Sequence, residues 1–263
     1  MLLTEEYGVI SRCSRGATGE CVGHGLATEA AKARYVRGMF NAIAPRYDLA
    51  NTLLSAGWHR AWKRHAVRLV DAPARGRALD LCCGTGDLAL LLARQVGSGG
   101  TVVGVDFSEA MLRVGRRRAV AAGLHRICHF TEGDAETLPL AGGVFDVATI
   151  GFGIRNVGRP AAALGELRRV LRPGGRLAIL EFGRPVNAAL RLVYDAYSFA
   201  VVPRVGRTLT GHRDAYLYLP TSIRHWADQD QFDDALRGTG FVEVRHVNLL
   251  AGIATIHLAT RPR

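Results

Sequence analysis

The chain has 263 residues, 48% of them hydrophobic and 22% charged, with a formal net charge of +11. That length suits one large domain with a sizeable core, and the composition lies far from the disordered regime. No apolar run reaches the ~18 uncharged residues of a membrane span, and the opening MLLTEEYGVISR carries acids where an export signal needs bases, so a cytoplasmic protein is expected.

Residues 1–34 are rich in Gly, Ser and Thr around Cys13 to Gly25 and show no sustained period, which predicts a loosely ordered extension; one domain is expected over 35–263. From Tyr35 to about Val70 the apolar spacing is helical (Val36, Met39, Phe40, Ile43, then Leu49, Leu53, Leu54, later Trp58 and Trp62), punctuated by Pro45 and Gly57. Arg77–Cys83 then reads as a buried strand, Gly84-Thr-Gly86 as a turn, and Asp87–Val96 as a helix. The alternation continues: strand Thr101–Val105 ending at Asp106, helix Glu109–Ala122, strand Ile127–Thr131 before Asp134, strand Phe145–Ile150, helix Pro160–Leu171 and strand Arg176–Phe182 after a Pro173-Gly-Gly175 turn. Such alternation predicts an α/β doubly wound, Rossmann-like parallel sheet with helices on both faces. An aromatic-rich helical stretch over about 187–237 reads as a lid, and Phe241–Val247 with Ile253–Ala259 as a closing hairpin.

In a doubly wound sheet the ligand sits beyond the carboxyl ends of the strands. Leu79-Asp-Leu-Cys-Cys-Gly84-Thr85-Gly86-Asp87 is the first strand and its turn, and Asp106 follows Gly86 by 20 residues at the tip of the second strand, where a carboxylate can accept both hydroxyls of a ribose. The dinucleotide fingerprint needs a third glycine at position 89, which is alanine, and no Lys-Ser/Thr pair follows to cradle phosphates. A nucleoside without phosphates remains, and S-adenosylmethionine fits that description. Asp134, after the third strand, is placed to accept from an adenine amino group, or is an exposed loop carboxylate.

Five cysteines (Cys13, Cys21, Cys82, Cys83, Cys128) form an odd set without ligand spacing, so reduced thiols and no metal are expected. Lysine occurs only at Lys32 and Lys63, leaving 32 of the 34 basic residues as arginine. That excess admits nucleic acid, an anionic membrane surface or an acidic substrate, and equally an arginine-rich coding bias. His59 and His65 flank a Trp-Lys-Arg segment and read as solvent-facing; His225 reads as a surface histidine.

Several segments together carry a more specific signal: Phe40-Asn-Ala-Ile-Ala-Pro-Arg-Tyr-Asp48, Cys83-Gly-Thr-Gly-Asp87, Gly133-Asp-Ala-Glu136, Ile150-Gly-Phe-Gly-Ile-Arg-Asn-Val157, Arg172-Pro-Gly-Gly175 and Tyr194-Asp-Ala-Tyr-Ser198. From about Val36 to His257 the chain resembles the ubiquinone/menaquinone biosynthesis C-methyltransferases, a class I S-adenosylmethionine-dependent family. The glycine turn itself offers Gly84 and Gly86 to the cofactor, and the resemblance implies contacts at Thr85, Asp106, Asp134 and Ala135. It also implies one at Gly151, where some members carry serine. The glycine there and the paired Cys82-Cys83 look most like demethylmenaquinone methyltransferases. The implied reaction moves a methyl from sulfonium to a ring carbon of a polyprenylated quinol, with the benzoquinol of ubiquinone synthesis as the alternative acceptor.

On that reading Arg155 stabilises phenolate charge or orients a water, being too weak an acid to act as a base, and Asn156 binds a ring oxygen. Alternatively Arg155 pairs with a structural acid and Asn156 caps a turn. Tyr194, Tyr197, Phe199, Tyr216, Tyr218 and Trp226 are either lid core or the walls of a quinol site. The substrate's lipid character implies peripheral attachment to the inner face of a membrane; oligomerisation stays open. A nucleic-acid methyltransferase would want a separate basic, aromatic-interleaved domain, and a non-catalytic scaffold would be expected to lose the glycine loop or its acids; neither sign is present.

Overall fold

The computed structural model describes residues 29–210 and 213–263. Three helices open the chain: α1 (Glu29–Ile43), α2 (Tyr47–Leu54) and α3 (Trp58–Val70), with Pro45 in a single 3-10 turn between the first two. Helix α1 therefore begins within the stretch expected to be loose; the rest of that extension, with Cys13 and Cys21, lies outside the described residues. Then β1 (Arg77–Leu81), α4 (Asp87–Val96), β2 (Thr101–Asp106), α5 (Glu109–Ala121), β3 (Cys128–Glu132), β4 (Phe145–Gly151), α6 (Pro160–Val170) and β5 (Leu171–Phe182) alternate as the pattern predicts. Helices α7 (Ala188–Ala200), α8 (Val202–Thr210), α9 (Arg213–Arg224) and α10 (Gln229–Gly238) lead to the hairpin β6 (Val242–Leu249) and β7 (Ala254–Thr260).

The strands form one sheet in the order β3-β2-β1-β4-β5-β7-β6, with β1 to β5 parallel and β7 antiparallel to both its neighbours. The Arg172–Gly175 turn is taken up inside β5, whose register with β4 jumps from Phe145 opposite Leu171 to Val147 opposite Arg176. Side chains alternate between faces: Ala78, Val147, Ala178 and Leu180 pack with α3 and α4, while Leu79, Ala148, Ile150 and Ile179 pack with α6 and α10. Helix α10 thus belongs to the sheet's covering layer through Phe232 and Leu236, and the lid is confined to α7–α9. A smaller cluster (Ile43, Ala44, Ala50, Met111, Val202) joins the opening helices to α5 and the lid.

The strand order reverses between β1 and β4, and at this switch point the two outgoing loops lie side by side. Cys82 after β1 and Phe152 after β4 both adopt left-handed backbone (φ 54° and 58°). Non-glycine residues rarely do so, and such strain concentrates at ligand sites. Gly153 has no room for a side chain: a Cβ there would stand 2.4 Å from Cys82 Cβ. The close approach of the loops therefore requires that glycine.

Candidate active site

The loop after β1 is held from both sides. Asp106, at the end of β2, accepts the Gly84 N–H at 2.8 Å through one oxygen and the Ser108 N–H at 2.9 Å through the other. Burial raises the Asp106 carboxyl above its usual range, and the N–H donors pull it back. Each oxygen retains a lone pair, and Gly84 (φ 54°) has open space where a Cβ would project. Asp80 inside β1 accepts from Ala89 N–H and from the Thr149 hydroxyl at 2.8 Å, anchoring the start of α4; burial pushes it up to about 7.

A cavity of about 330 Å³ opens beyond these residues, lined by Gly84, Asp106, Phe107, Asp134, Ala135 and Gly151 among others. Asp134 is exposed at its rim, one oxygen accepting from Glu136 N–H. A Cβ at position 151 would lie 2.7 Å from Leu88 Cδ1, so a serine there requires Leu88 to move. The cavity suits a nucleoside: the Asp106 and Asp134 carboxylates with spare acceptors, a bare glycine backbone and apolar flanks, with Glu132 and Glu136 also in its lining. Arg34 and Arg37 of α1 also line it, while the 84–86 turn itself carries no lysine or arginine.

Thr85 and Gly86 stand behind this cavity and not on its wall. The Thr85 hydroxyl donates to Asp48 at 2.7 Å, and Arg118 reaches Thr85 O, Asp48 and Asp87. Lys63 closes the network on Asp87 at 2.7 Å. Burial would raise the Asp87 carboxyl, but Lys63 and Arg118 outweigh it and hold the group well below the carboxylate range. Gly86 is set by packing, since a Cβ would meet the Phe130 ring at 2.7 Å. Both residues position the loop.

A second cavity, about 500 Å³, lies between the opening helices and the lid. Its walls are chiefly aromatic and aliphatic, including Trp58, Trp62, Tyr194, Tyr197 and Tyr218, with His59, Lys63, Arg155 and Asn156 among its polar members. Among the aromatics singled out from sequence, Phe199 and Trp226 do not line it, and the side chain of Tyr216 lies outside the described ones. Tyr197 ties lid to base by donating to Leu54 O at 2.7 Å. Burial pushes the Tyr194 hydroxyl up to about 12, so it stays protonated at neutral pH. Phe40, Tyr47, Phe152 and Asn156 belong to both cavities and form the partition between them.

Arg155 does pair with an acid. Its Nη1 lies 2.5 Å from Glu181 Oε1 and 2.7 Å from Phe152 O, and its guanidinium stacks 5.3 Å from the Phe182 ring centroid. Both charges are buried, and Arg155 Nε, Asn156 Oδ1 and Glu181 Oε2 lack hydrogen-bond partners. An unmet donor and an unmet acceptor thus sit on adjacent residues beside the partition.

His59 corrects the sequence reading: it is 5% exposed and lines the second cavity. Burial, aided by Lys63, pushes it down to about 4, so it is neutral at pH 7. Thr52 Oγ1 donates to Asp48 O and accepts from Arg60, so at 3.3 Å it can only accept from His59 Nε2–H. Nδ1 is left as a bare acceptor, buried and without a partner. The signal was present in the helix period, because His59, Trp62, Lys63, Ala66, Val67 and Val70 form the single buried stripe of α3. His65 is half-buried and His225 exposed.

The described cysteines, Cys82, Cys83 and Cys128, are free thiols, and burial raises all three. The one His/Asp group with ligand-like proximity among the described residues is Asp233 with His246 and His257. There Asp233 accepts from both rings, at 2.8 and 2.6 Å, and none of the three lines either cavity.

Solved structures share this architecture at low identity. A SAM-dependent methyltransferase from Thermotoga maritima, titled a possible histamine N-methyltransferase, aligns with TM-score 0.59 at 21% identity, covering 85% of this chain and 99% of its own. The cyclase SpnF aligns with TM-score 0.65 at 20% identity, covering 88% and 97%. Sequence relatives are far closer. The ubiquinone/menaquinone biosynthesis C-methyltransferase UbiE of Azotobacter vinelandii is 44% identical over 240 residues, spanning 91% of this chain and 95% of its own. The protein of the same name from Roseobacter denitrificans is 45% identical over 229 residues, spanning 87% and 91%. With the model of the ubiE/COQ5 methyltransferase family matching residues 28–261, the chain belongs to that family.

Proposed function

We propose that this protein transfers the methyl group of S-adenosylmethionine to a ring carbon of a polyprenylated quinol, converting demethylmenaquinol to menaquinol, while peripherally attached to a membrane. The observation that carries the proposal is the partition: a cavity edged by the Asp106 and Asp134 carboxylates and suited to a nucleoside, and an apolar cavity suited to a quinol ring, share Phe40, Tyr47, Phe152 and Asn156. The bound cofactor supplies an electrophilic methyl on sulfonium. The chain supplies alignment, and positioning of two reactants can contribute roughly 7–11 kcal/mol.

Carbon is a poor nucleophile, so the ring must be the electron-rich hydroquinone, activated further by partial loss of a phenolic proton. Asn156 and Arg155 offer an acceptor and a donor for the ring oxygens beside the partition. Glu181 already neutralises much of the Arg155 charge. Arg155 therefore acts as an oriented hydrogen-bond donor to developing phenolate charge more than as a free cation. Apolar walls exclude water from that charge and offer nothing to a nucleic-acid backbone. Gly84, Asp106, Asp134, Ala135 and Gly151 are assigned to the cofactor, with Thr85 and Gly86 holding the loop behind it.

The menaquinone branch rests on Gly151 and Cys82-Cys83, and on a cavity of about 500 Å³, roomy enough for a bicyclic ring. The test presents demethylmenaquinone, the benzoquinone precursor and RNA, each with and without dithionite, and follows methylated product by mass. Product is expected from reduced demethylmenaquinone. Equal turnover of oxidised and reduced quinone would refute the mechanism, and preference for the benzoquinol would move the protein to the other branch.

A further inference from the structure

The apolar cavity has an apolar rim. Leu53, Trp58, Val193 and Leu250 line it and are also exposed to solvent by 53%, 50%, 66% and 43%. Leu49, one helical turn before Leu53 on α2, and Leu192, beside Val193 on α7, are exposed without lining the cavity. Exposing large apolar side chains to water is costly, and a contiguous set of them around one opening marks a binding surface. No helix among the described residues is long and apolar enough to cross a membrane.

Basic side chains lie on the elements that form this rim and beside it. Helix α3, which starts at Trp58, carries exposed Arg60, Arg64 and Arg68 and no acid, its Lys63 being buried against Asp87. Exposed Arg60, Arg184 and Arg191 donate to neutral oxygens, those of Thr52, Trp226 and Pro185, so their charges are not cancelled by acids among the described residues. We propose that the rim formed by α2, the start of α3, α7 and the Leu250 turn docks on an anionic lipid leaflet, so that the cavity opens directly into the acyl region. Leucine, valine and tryptophan enter the interface while the arginines meet headgroup phosphates. The proposal rests on the quinol reading above. A cavity of about 500 Å³ holds a ring of drug-like size but no long polyprenyl chain, which must leave through the rim. With the rim on the leaflet, the tail never crosses water.

The experiment uses the full chain and vesicles of phosphatidylcholine with and without phosphatidylglycerol. Wild type is expected to float with the anionic vesicles and to lose them as salt rises. L49E/L192E, which alters exposed residues outside the cavity, should bind on the order of tenfold less. R60Q and R191Q should each bind about fivefold less. L49E/L192E should also lose turnover of a long-chain quinol embedded in vesicles while keeping kcat/KM for a short-chain soluble quinol. Wild type inactive on every quinol would defeat the functional reading itself. Wild type active on the soluble quinol but absent from vesicles, or a variant floating like wild type, would overturn the docking face alone. So would a solution dimer that the same substitutions dissociate, because a second copy would then cover the rim.

Discussion

Replacing Arg155 with methionine separates its contribution to the fold from its contribution to the reaction. The side chains of Arg155 and Glu181 are 6% and 1% exposed and 2.5 Å apart. Removing one member of such a pair strands the other charge in the interior, at a cost of about 3–5 kcal/mol. For a chain of this size about 2–4 °C of Tm accompanies each kcal/mol, so a fall of about 6–20 °C is expected. The cost has a pH signature. Burial already raises the Glu181 carboxyl, and Arg155 pulls it back. Without the arginine the folded-state pKa rises further above the unfolded value. The variant therefore keeps its stability at low pH, where Glu181 is protonated, and loses it as pH rises through that pKa.

The companion is R155M/E181L, which removes both charges and should regain most of the stability. If Arg155 also serves the quinol, this stable double variant will bind S-adenosylmethionine like wild type yet turn over slowly. Urea denaturation at about pH 6 and about pH 8, calorimetric cofactor binding and methyl transfer together decide the matter. A single variant as stable as wild type, or a double variant no better than the single, would refute the reasoning about the pair. Restored turnover in the double variant would confine Arg155 to structure.

Asp106→Ala removes the acceptor assigned to the ribose and unties the Gly84 and Ser108 N–H groups, so cofactor affinity should fall by about 1–3 kcal/mol; unchanged calorimetric affinity in a folded variant would reject the assignment. His59 is held neutral, with its pKa lowered from 6.5 to about 4. Stability is present above the unfolded pKa and lost as pH falls through about 6.5 towards 4, by up to about 3 kcal/mol. The stability gap between wild type and His59→Phe should shift against wild type over that interval, and a gap independent of pH would contradict the buried neutral imidazole.

Local signals made most of the fold legible. Helix α4 lies where its period and the preceding glycines predict, and Asp106 sits at the strand tip where the 20-residue spacing puts it. What escaped is long-range pairing and packing. Thr85 is turned from the cavity by Asp48, 37 residues earlier, and Arg155 is neutralised by Glu181, 26 residues later. Neither partner is implied by anything adjacent to it in the chain. His59 is a different failure, because reading polar residues as solvent-facing overrode a buried stripe that the spacing with Trp62 and Ala66 already drew. The aromatic-rich pattern extends the lid reading to about residue 237, whereas Phe232 and Leu236 commit helix α10 to the sheet.

The same sheet also carries the cyclase SpnF, so the architecture alone does not select a methyl transfer. On the reading proposed above, selection lies in a few residues at the strand-order reversal. Phe152 takes a left-handed backbone after β4, and its ring stacks 4.6 Å from Phe182 and lies 6.4 Å from Trp62, which places one aromatic face between two cavities. Gly153 lets that loop press on Cys82, and the next turn carries Arg155 and Asn156 to the same wall. The proposed cofactor side and acceptor side thus meet at a single loop of six residues, Gly151 to Asn156. A substitution that moves this loop is expected to disturb both cavities together, whereas a change in the lid should reach the acceptor alone.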